Sequence, residues 1–263
     1  MHPRDAAAYG RIRDLARSFA TVDGRRLAYV RLGEGLPTIV LLSGAGMDLD
    51  SWFKVLPDIA ASGTVIAYDR LGVGRSDRPQ EPQTGAVVVA TLRNVLEQAG
   101  GTTPAVVVAH SLGGLHAELF ARLHPTEVAG MVLVEAASPE EALAPPAPGL
   151  AVRLAGAAAA AIDRLRGRPH GLDDVDAVAE TVRQIQEAPP FPDIPLVVVS
   201  GGRRMRMVPE SAFRAHLAAE NDRVALSPRG RQVIAAESGH FPQVQEPAVV
   251  VKAIREMAEA VRP

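Results

Sequence analysis

The sequence predicts an α/β protein built on a mostly parallel, doubly wound sheet. Short apolar runs alternate along the chain with stretches of helical periodicity, and turn residues separate them. Several runs, among them 38–42 and 106–108, are almost wholly apolar, which is typical of strands covered on both faces. Such alternation favours parallel strands joined by right-handed helical crossovers.

Length and composition limit the classes of protein to consider. The 263 residues carry 28 Lys and Arg against 30 Asp and Glu, a formal net charge of −2. This balance offers no basic surface for nucleic acid or an anionic membrane, so we expect neither as a partner. The absence of cysteine excludes disulfides, thiolate catalysis and cysteine-bound metals. We expect a single domain over 1–263, since α/β folds of this size are commonly undivided.

The sequence also bears on location. No apolar segment precedes the charged stretch 11–17, so a secretory signal is not expected. The most apolar stretch, 150–162, is too short to span a bilayer and contains Arg153. We therefore expect a cytoplasmic protein.

Each element follows from its apolar pattern and from the turn residues at its ends. Asp23-Gly24 separates the segments 18–22 and 26–32 and is a strong hairpin signal. The further strands predicted from apolar runs are 38–42, 64–68, 106–108, 128–134, 194–200 and 231–236. The predicted helices are a polar one within 1–17, one that ends at 61, and those at 87–99, 115–123, 209–219 and 246–261.

Residues 139–190 interrupt this alternation. The segment opens with four prolines between 139 and 148, and then shows two helical patterns, one to about 166 and one over 173–187. We predict a small helical cap inserted between two strands, with an apolar lining that would select the substrate. The candidate lining residues are Leu143, Leu150, Leu154, Ile162 and Leu165.

A candidate nucleophile lies in the segment 106–114. The strand 106–108 runs into Ala109-His110-Ser111-Leu112-Gly113-Gly114, and helical periodicity follows. A serine between strand and helix, with small residues two positions before and after it, fits a sharp turn that exposes its hydroxyl. Ala109 stands where the usual motif has glycine and adds one methyl group. The alternative interpretation is a glycine-rich turn without chemistry.

His240 is the candidate general base. It lies in the loop 238–242 between the last predicted strand and the last helix, and a ligand-facing base belongs at the carboxyl end of such a strand. We predict structural or solvent-facing roles for the other histidines, which are His2, His110, His116, His124, His170 and His216.

Four segments carry a family resemblance. They are Ser43-Gly-Ala-Gly46, Asp69-Arg-Leu-Gly-Val-Gly-Arg-Ser76, the turn around Ser111, and Ser238-Gly-His-Phe241. With them the chain resembles the α/β-hydrolase superfamily, in particular its ester- and lactone-hydrolysing, haloperoxidase-like single-domain branch. The resemblance implies an α/β-hydrolase fold with Ser111 as nucleophile and His240 as base. It also implies an oxyanion hole formed by the backbone N–H groups of Ala45 and Leu112.

The acid of the triad departs from the family pattern. Most members carry it after the strand that corresponds to 196–200, but here the turn 201–209 contains no carboxylate. Glu210 follows at a predicted helix start, where a negative charge has an ordinary local role. Glu135 ends the preceding apolar strand, and a buried carboxylate there needs a polar partner such as a histidine. We predict that Glu135 orients His240, with an acid after Ser200 as the alternative.

These residues favour a serine hydrolase that cleaves a small or medium carboxylic ester or lactone through an acyl-enzyme. A carbon–carbon bond hydrolase or a cofactor-free haloperoxidase could use the same triad, and a non-catalytic ligand-binding protein could share the fold. Gly72 and Gly74 do not complete a nucleotide-binding glycine motif, and no cluster has metal-ligand spacing. We therefore expect no cofactor and no metal.

Overall fold

The computed structural model describes residues 3–143, 177–204 and 209–262. Within these residues a sheet has the strand order β1-β2-β4-β3-β5-β6-β7-β8. The strands are β1 (Ser18–Val22), β2 (Arg25–Leu32), β3 (Thr38–Leu42), β4 (Thr64–Tyr68), β5 (Ala105–His110), β6 (Val128–Val134), β7 (Leu196–Gly201) and β8 (Gly230–Ala235).

The sheet is mostly parallel, as the sequence predicts. The strands from β3 to β8 pair in parallel, whereas β2 pairs antiparallel with both β1 and β4. Asp23 and Gly24 join β1 to β2 with φ angles of 48° and 73°, which confirms the predicted hairpin. Because β4 and β5 flank β3 on opposite sides, the strand order reverses there, and ligands bind at such a reversal in open α/β sheets.

Helices lie on both faces of the sheet. The α-helices of the described residues are α1 (Pro3–Arg13), α2 (Leu56–Ile59), α3 (Gly85–Gln98), α4 (Gly113–Leu123), α5 (Pro139–Leu143), α6 (Val178–Glu187), α7 (Glu210–Val224), α8 (Pro242–Gln245) and α9 (Pro247–Ala260). None of the described helices combines the length and the apolar character that crossing a bilayer requires.

The two faces of the sheet explain why its central strands are almost wholly apolar. In β5, Val107 and Ala109 pack with side chains of α3 and α4, whereas Val106 and Val108 pack with side chains of α2 and α9. All six residues of β5 are buried. At about 25 cal/mol per Å² of buried apolar surface, this double packing is a large source of stability.

Some boundaries differ from the sequence predictions for local reasons. The helix expected to end at 61 is divided into a 3₁₀ turn (Leu49–Trp52), α2 and a second 3₁₀ turn (Ala60–Ser62). Pro57 lies in the first turn of α2, where a missing N–H is tolerated, so the helix restarts there. Helix α7 continues to Val224, beyond the predicted end at 219.

Most of the predicted cap lies outside the described residues. Residues 144–176 are not described, and they include Leu150, Leu154, Ile162, Leu165 and His170. The described ends of the segment are α5 and α6. Helix α6 buries Val182 and Ile185 among side chains of α3 and α4, and its Thr181 Oγ1 accepts a hydrogen bond of 2.8 Å from the Gly85 N–H. The cap over 139–190 stays a prediction.

Candidate active site

Ser111 occupies the sharp turn between β5 and α4. Its φ angle of 51° is in the left-handed region that non-glycine residues rarely adopt. Its N–H donates to the Val134 carbonyl at 3.3 Å, which ties the turn to β6. At Gly113 a Cβ atom would lie 2.7 Å from the Leu42 oxygen, so only glycine allows this approach of α4 to β3.

His240 connects Ser111 to a carboxylate. Its Nε2 lies 3.2 Å from Ser111 Oγ, and its Nδ1 lies 3.2 Å from Glu135 Oε2. The loop that carries it is fixed from α8, because Gln245 Oε1 accepts hydrogen bonds from Ser238 Oγ at 2.9 Å and the Gly239 N–H at 2.7 Å. The imidazole is therefore held between a hydroxyl and a carboxylate.

Glu135 follows β6 directly and is 5 % exposed. Its φ angle is 45°, and its N–H donates to the Val199 carbonyl at 2.9 Å. Oε1 accepts the Gly201 N–H at 2.6 Å, which leaves Oε2 for His240. Burial raises the pKa of the carboxyl, but hydrogen bonds from His216 and His240 outweigh it and lower the pKa to about 2. Glu135 is therefore ionised at neutral pH.

The alternative acid, Glu210, has other partners. It begins α7 and is exposed, with its carboxylate 3.0 Å from Arg204 Nε and 3.1 Å from Arg214 Nε. The structure thus brings Glu135 to His240 and leaves Glu210 among exposed arginines at a helix start.

The loop 43–46 packs directly against Ser111. At Gly44 a Cβ atom would lie 3.1 Å from Ser111 Cβ and 3.0 Å from His110 Nδ1. Among the hydrogen bonds of the described residues, none uses the backbone N–H of Ala45 or of Leu112. These two N–H groups thus have no hydrogen-bond acceptor among the described residues, and their role as an oxyanion hole stays a prediction.

The Ser43 side chain points into the protein. Its hydroxyl accepts a hydrogen bond from Trp52 Nε1 at 3.1 Å and donates to the Asp48 carbonyl at 3.2 Å. Ser43 itself is 2 % exposed. The hydroxyl is therefore engaged in holding the loop.

Arg70 supports the same loop and was not singled out from the sequence. The buried guanidinium donates to the Ser43 carbonyl at 2.6 Å and to the Gly44 carbonyl at 2.8 Å. With these carbonyls turned towards Arg70, the orientation of the following peptides is fixed. Its place in the segment 69–76, directly after β4, is the sequence feature that could have indicated this role.

His110 supports His240 from behind. Its Nε2 donates to the His240 carbonyl at 2.8 Å, which assigns the ring proton to that nitrogen. Burial, reinforced by the neighbouring charge of His240, lowers the pKa of His110 to about 3. His110 is therefore neutral and, as predicted, structural.

His216 was predicted to be structural or solvent-facing, but it contacts the candidate acid. From α7 its Nε2 lies 3.2 Å from Glu135 Oε1, and its Nδ1 lies 3.0 Å from Glu141 Oε1. The signal in the sequence is the polar series His216, Glu220 and Arg223, spaced to share one face of α7. Within the described parts of the chain, no group of three or more histidine, aspartate or glutamate side chains could hold a metal ion.

The fold and this geometry define the class of the protein. The family model for the alpha/beta hydrolase fold matches residues 37–170, which include the turn at Ser111 and the loop 43–46. The chain belongs to this family.

Particular relatives share part of the chain or its fold. A non-heme chloroperoxidase from Streptomyces lividans is 38% identical over 126 residues, which are 45% of this chain and 44% of the relative. The chain spans less than half the length of the curated relatives that it matches.

Solved structures share the fold over most of the chain. A thermophilic esterase from Thermogutta terrifontis has a TM-score of 0.68 and 21% identity, over 95% of this chain and 100% of the esterase. The enol-lactonase from Burkholderia xenovorans has a TM-score of 0.67 and 20% identity, over 92% of this chain and 100% of the lactonase.

Proposed function

We propose that this protein is a serine hydrolase that cleaves small or medium carboxylic esters or lactones through an acyl-enzyme. The observation that carries the proposal is the unbroken contact series from Ser111 Oγ through His240 to Glu135, with both distances at 3.2 Å. Similarity of fold to an esterase and a lactonase supports it without specifying the substrate.

The proposed reaction follows from the roles of the three side chains. Ser111 Oγ attacks the carbonyl carbon while His240 Nε2 takes the hydroxyl proton, and the oxyanion accepts the N–H groups of Ala45 and Leu112. When the carbon–oxygen bond breaks, His240 passes the proton to the departing alcohol oxygen. A water molecule then attacks the acyl-enzyme as His240 removes its proton. The bond between the acyl carbon and Ser111 Oγ breaks, the acid leaves, and His240 returns the proton to Ser111 Oγ.

The ionised Glu135 serves two needs of this cycle. It accepts the Nδ1–H, which selects the tautomer with a free Nε2 lone pair for Ser111. It also stabilises the imidazolium that forms when His240 holds the proton. Burial of Glu135 strengthens this interaction because the surrounding dielectric is low.

A second candidate is perhydrolysis, which the chloroperoxidase relative favours. There hydrogen peroxide takes the place of water, attacks the same acyl-enzyme and releases a peroxy acid. A carbon–carbon bond hydrolase would use the same serine on a different scissile bond. Formation of the peroxy acid from hydrogen peroxide and hydrolysis should be measured on the same ester, and the larger kcat/KM identifies the main activity.

The test begins with Ser111→Ala. Because Ser111 is the proposed nucleophile, the variant should lose turnover of p-nitrophenyl esters and labelling by a fluorophosphonate, with a Tm near that of the wild type. Ser62→Ala is the matched control, since Ser62 is buried before β4, at the opposite edge of the sheet from Ser111, and this variant should keep both activities. If purified Ser111→Ala turns over esters like the wild type, the assignment is wrong, and absence of labelling in the wild type would favour a ligand-binding protein.

A further inference from the structure

Glu135 has a second histidine partner that a catalytic triad does not require. Oε2 faces His240 Nδ1 at 3.2 Å, whereas Oε1 receives the Gly201 N–H at 2.6 Å and faces His216 Nε2 at 3.2 Å. The two imidazoles therefore contact opposite oxygens of one buried carboxylate. Rotation of that carboxylate would break contacts on both sides.

His216 is itself held by a carboxylate at each ring nitrogen. Its Nδ1 lies 3.0 Å from Glu141 Oε1, and Glu141 is fixed at the start of α5 by its N–H, which donates to Ser138 Oγ at 3.1 Å. A neutral imidazole has one donor and one acceptor nitrogen, so it cannot donate to both carboxylates. The geometry requires the imidazolium form. In agreement, hydrogen bonds to Glu135 and then Glu141 raise the pKa of His216 to about 10.

Other charged groups near His216 do not reverse this conclusion. Glu220, one turn along α7, is buried and interacts electrostatically with His216. Burial and then the charge of Glu135 raise the pKa of Glu220 to about 7. Arg223 on the same face lies 3.7 Å from Glu118 and donates to the Ala137 carbonyl at 2.7 Å. Two carboxylates, those of Glu135 and Glu141, thus contact the imidazolium, and Glu220 interacts with it electrostatically.

We propose that His216 is a positioning residue: held between Glu135 and Glu141, its imidazolium fixes the carboxylate that orients His240. This inference rests on the proposed function. A carboxylate held in this way keeps Oε2 on His240 Nδ1, so the imidazole stays aligned with Ser111 Oγ.

The first experiment compares His216→Gln with His124→Gln on one p-nitrophenyl ester. His124 lies away from the site, and its Nδ1 is 3.7 Å from Glu127 Oε1. His124→Gln therefore controls for the loss of a partly exposed histidine. His216→Gln should lower kcat by about 10–100-fold. Removing a hydrogen-bond partner that orients a metal-binding side chain has an effect of this size, and His216 orients the Glu135 carboxylate in the same way. KM should change by less than about threefold, because His216 acts through Glu135 and not on the substrate. An unchanged kcat would overturn the proposal, and His124→Gln should match the wild type.

A double-mutant cycle tests whether His216 acts through Glu135. In a Glu135→Gln background, His216→Gln should lower kcat by less than about threefold, because the carboxylate that it orients is gone. If the two losses multiply, His216 acts independently of Glu135 and the proposal is wrong.

The last measurement does not depend on activity. Ring ¹⁵N shifts of His216, assigned by comparison with His216→Gln, should show an imidazolium in the wild type at pH 8. Glu141→Gln should make the ring lose its proton at lower pH. A neutral His216 at pH 8 would overturn the inference even if esters are hydrolysed. If Ser111→Ala keeps its turnover, the proposed function fails, while the shifts still decide the state of His216.

Discussion

At the scale of single residues, the proposed site contains two residues in unfavourable backbone conformations. The non-glycine residues with positive φ among the described residues are Asp23, Ser111 and Glu135, and the last two end neighbouring strands. Each such conformation costs on the order of 1–3 kcal/mol and persists only where its surroundings impose it. The contacts of Ser111 with β6 and of Glu135 with β7 provide that constraint. Both side chains are thus pre-organised before a substrate binds.

Replacing each candidate acid, Glu135 and Glu210, should show which of them acts with His240. Glu135→Gln removes the charge that supports the imidazolium and favours the wrong tautomer, so kcat should fall by about 10³–10⁴-fold. Glu210→Gln, at the exposed start of α7, should stay within a few-fold of the wild type. Both variants should be assayed with the same ester at the same pH. If Glu210→Gln loses most of its kcat while Glu135→Gln keeps it, the acid of the triad lies after β7.

Ser43 should matter for stability more than for catalysis. In Ser43→Ala the buried Trp52 Nε1 loses its acceptor, which should lower the free energy of unfolding by about 1–3 kcal/mol. The backbone donors are unaffected, so kcat should change by less than about fivefold, far below the loss for a removed oxyanion donor. Urea unfolding and ester kinetics measure the two effects. A kcat loss equal to that of Ser111→Ala would show that the hydroxyl takes part in the reaction.

At the scale of elements, the turn after β4 acts as a support for the loop 43–46. Arg70 donates to two consecutive carbonyls of that loop, and Asp69 accepts the N–H of Leu49 at 2.8 Å and of Arg75 at 2.9 Å. From the sequence, Gly72 and Gly74 of this turn did not complete a nucleotide-binding motif, and no support for the loop 43–46 was predicted. The side-chain contacts that link it to the loop 43–46 span more than twenty residues of chain, and no local pattern encodes them.

Arg70→Met tests this support. Loss of both hydrogen bonds should let the loop shift, and kcat should fall by up to about 10²-fold with a smaller change in KM, because an oxyanion donor acts mainly in the transition state. Arg75→Met is the control, since Arg75 lies in the same turn but donates to the Arg13 carbonyl at an exposed position. If both variants lose kcat equally, the effect comes from the turn as a whole.

The sequence was sufficient for some elements because their physical causes are local. The turn at Ser111 follows from a buried strand, a glycine at 113 and a helix, and all three can be read within ten residues. Helix α7 differs, because His216, Glu220 and Arg223 replace the apolar stripe that a buried helix face usually has. The contact between His216 and Glu135 therefore appeared only when β6, β7 and α7 were placed together.

At the scale of the whole molecule, parallel pairing assembles the site. Loop 43–46, Ser111, Glu135 and the His240 loop follow β3, β5, β6 and β8, whose carboxyl ends lie on one edge of the sheet. This convergence could be predicted, because parallel strands all end at the same edge. The burial of several charged groups behind that edge could not, since it depends on how α7 packs.

Because Glu220 is buried, it should make the stability of the fold depend on pH. It is fully buried, with Oε2 3.1 Å from Ser200 Oγ, and burial raises its pKa from 4.5 to about 7. An acid whose pKa is raised by folding does not change the stability below its unfolded pKa, because the folded and unfolded states are then both protonated. As pH rises from 4.5 to 7 the unfolded state gives up the proton more readily, so the folded state loses stability.

Glu220→Gln should remove this pH-dependent loss, because the amide can keep the contact with Ser200 and carries no charge. At pH 8 the variant should be more stable than the wild type by up to about 3 kcal/mol, whereas at pH 4.5 the two should be nearly equal. Urea unfolding of both proteins at the two pH values measures the difference, and Glu256→Gln controls for an exposed carboxylate. If Glu220→Gln is instead less stable at pH 8, the ionised carboxylate stabilises the fold through Arg223, and burial is not the dominant effect.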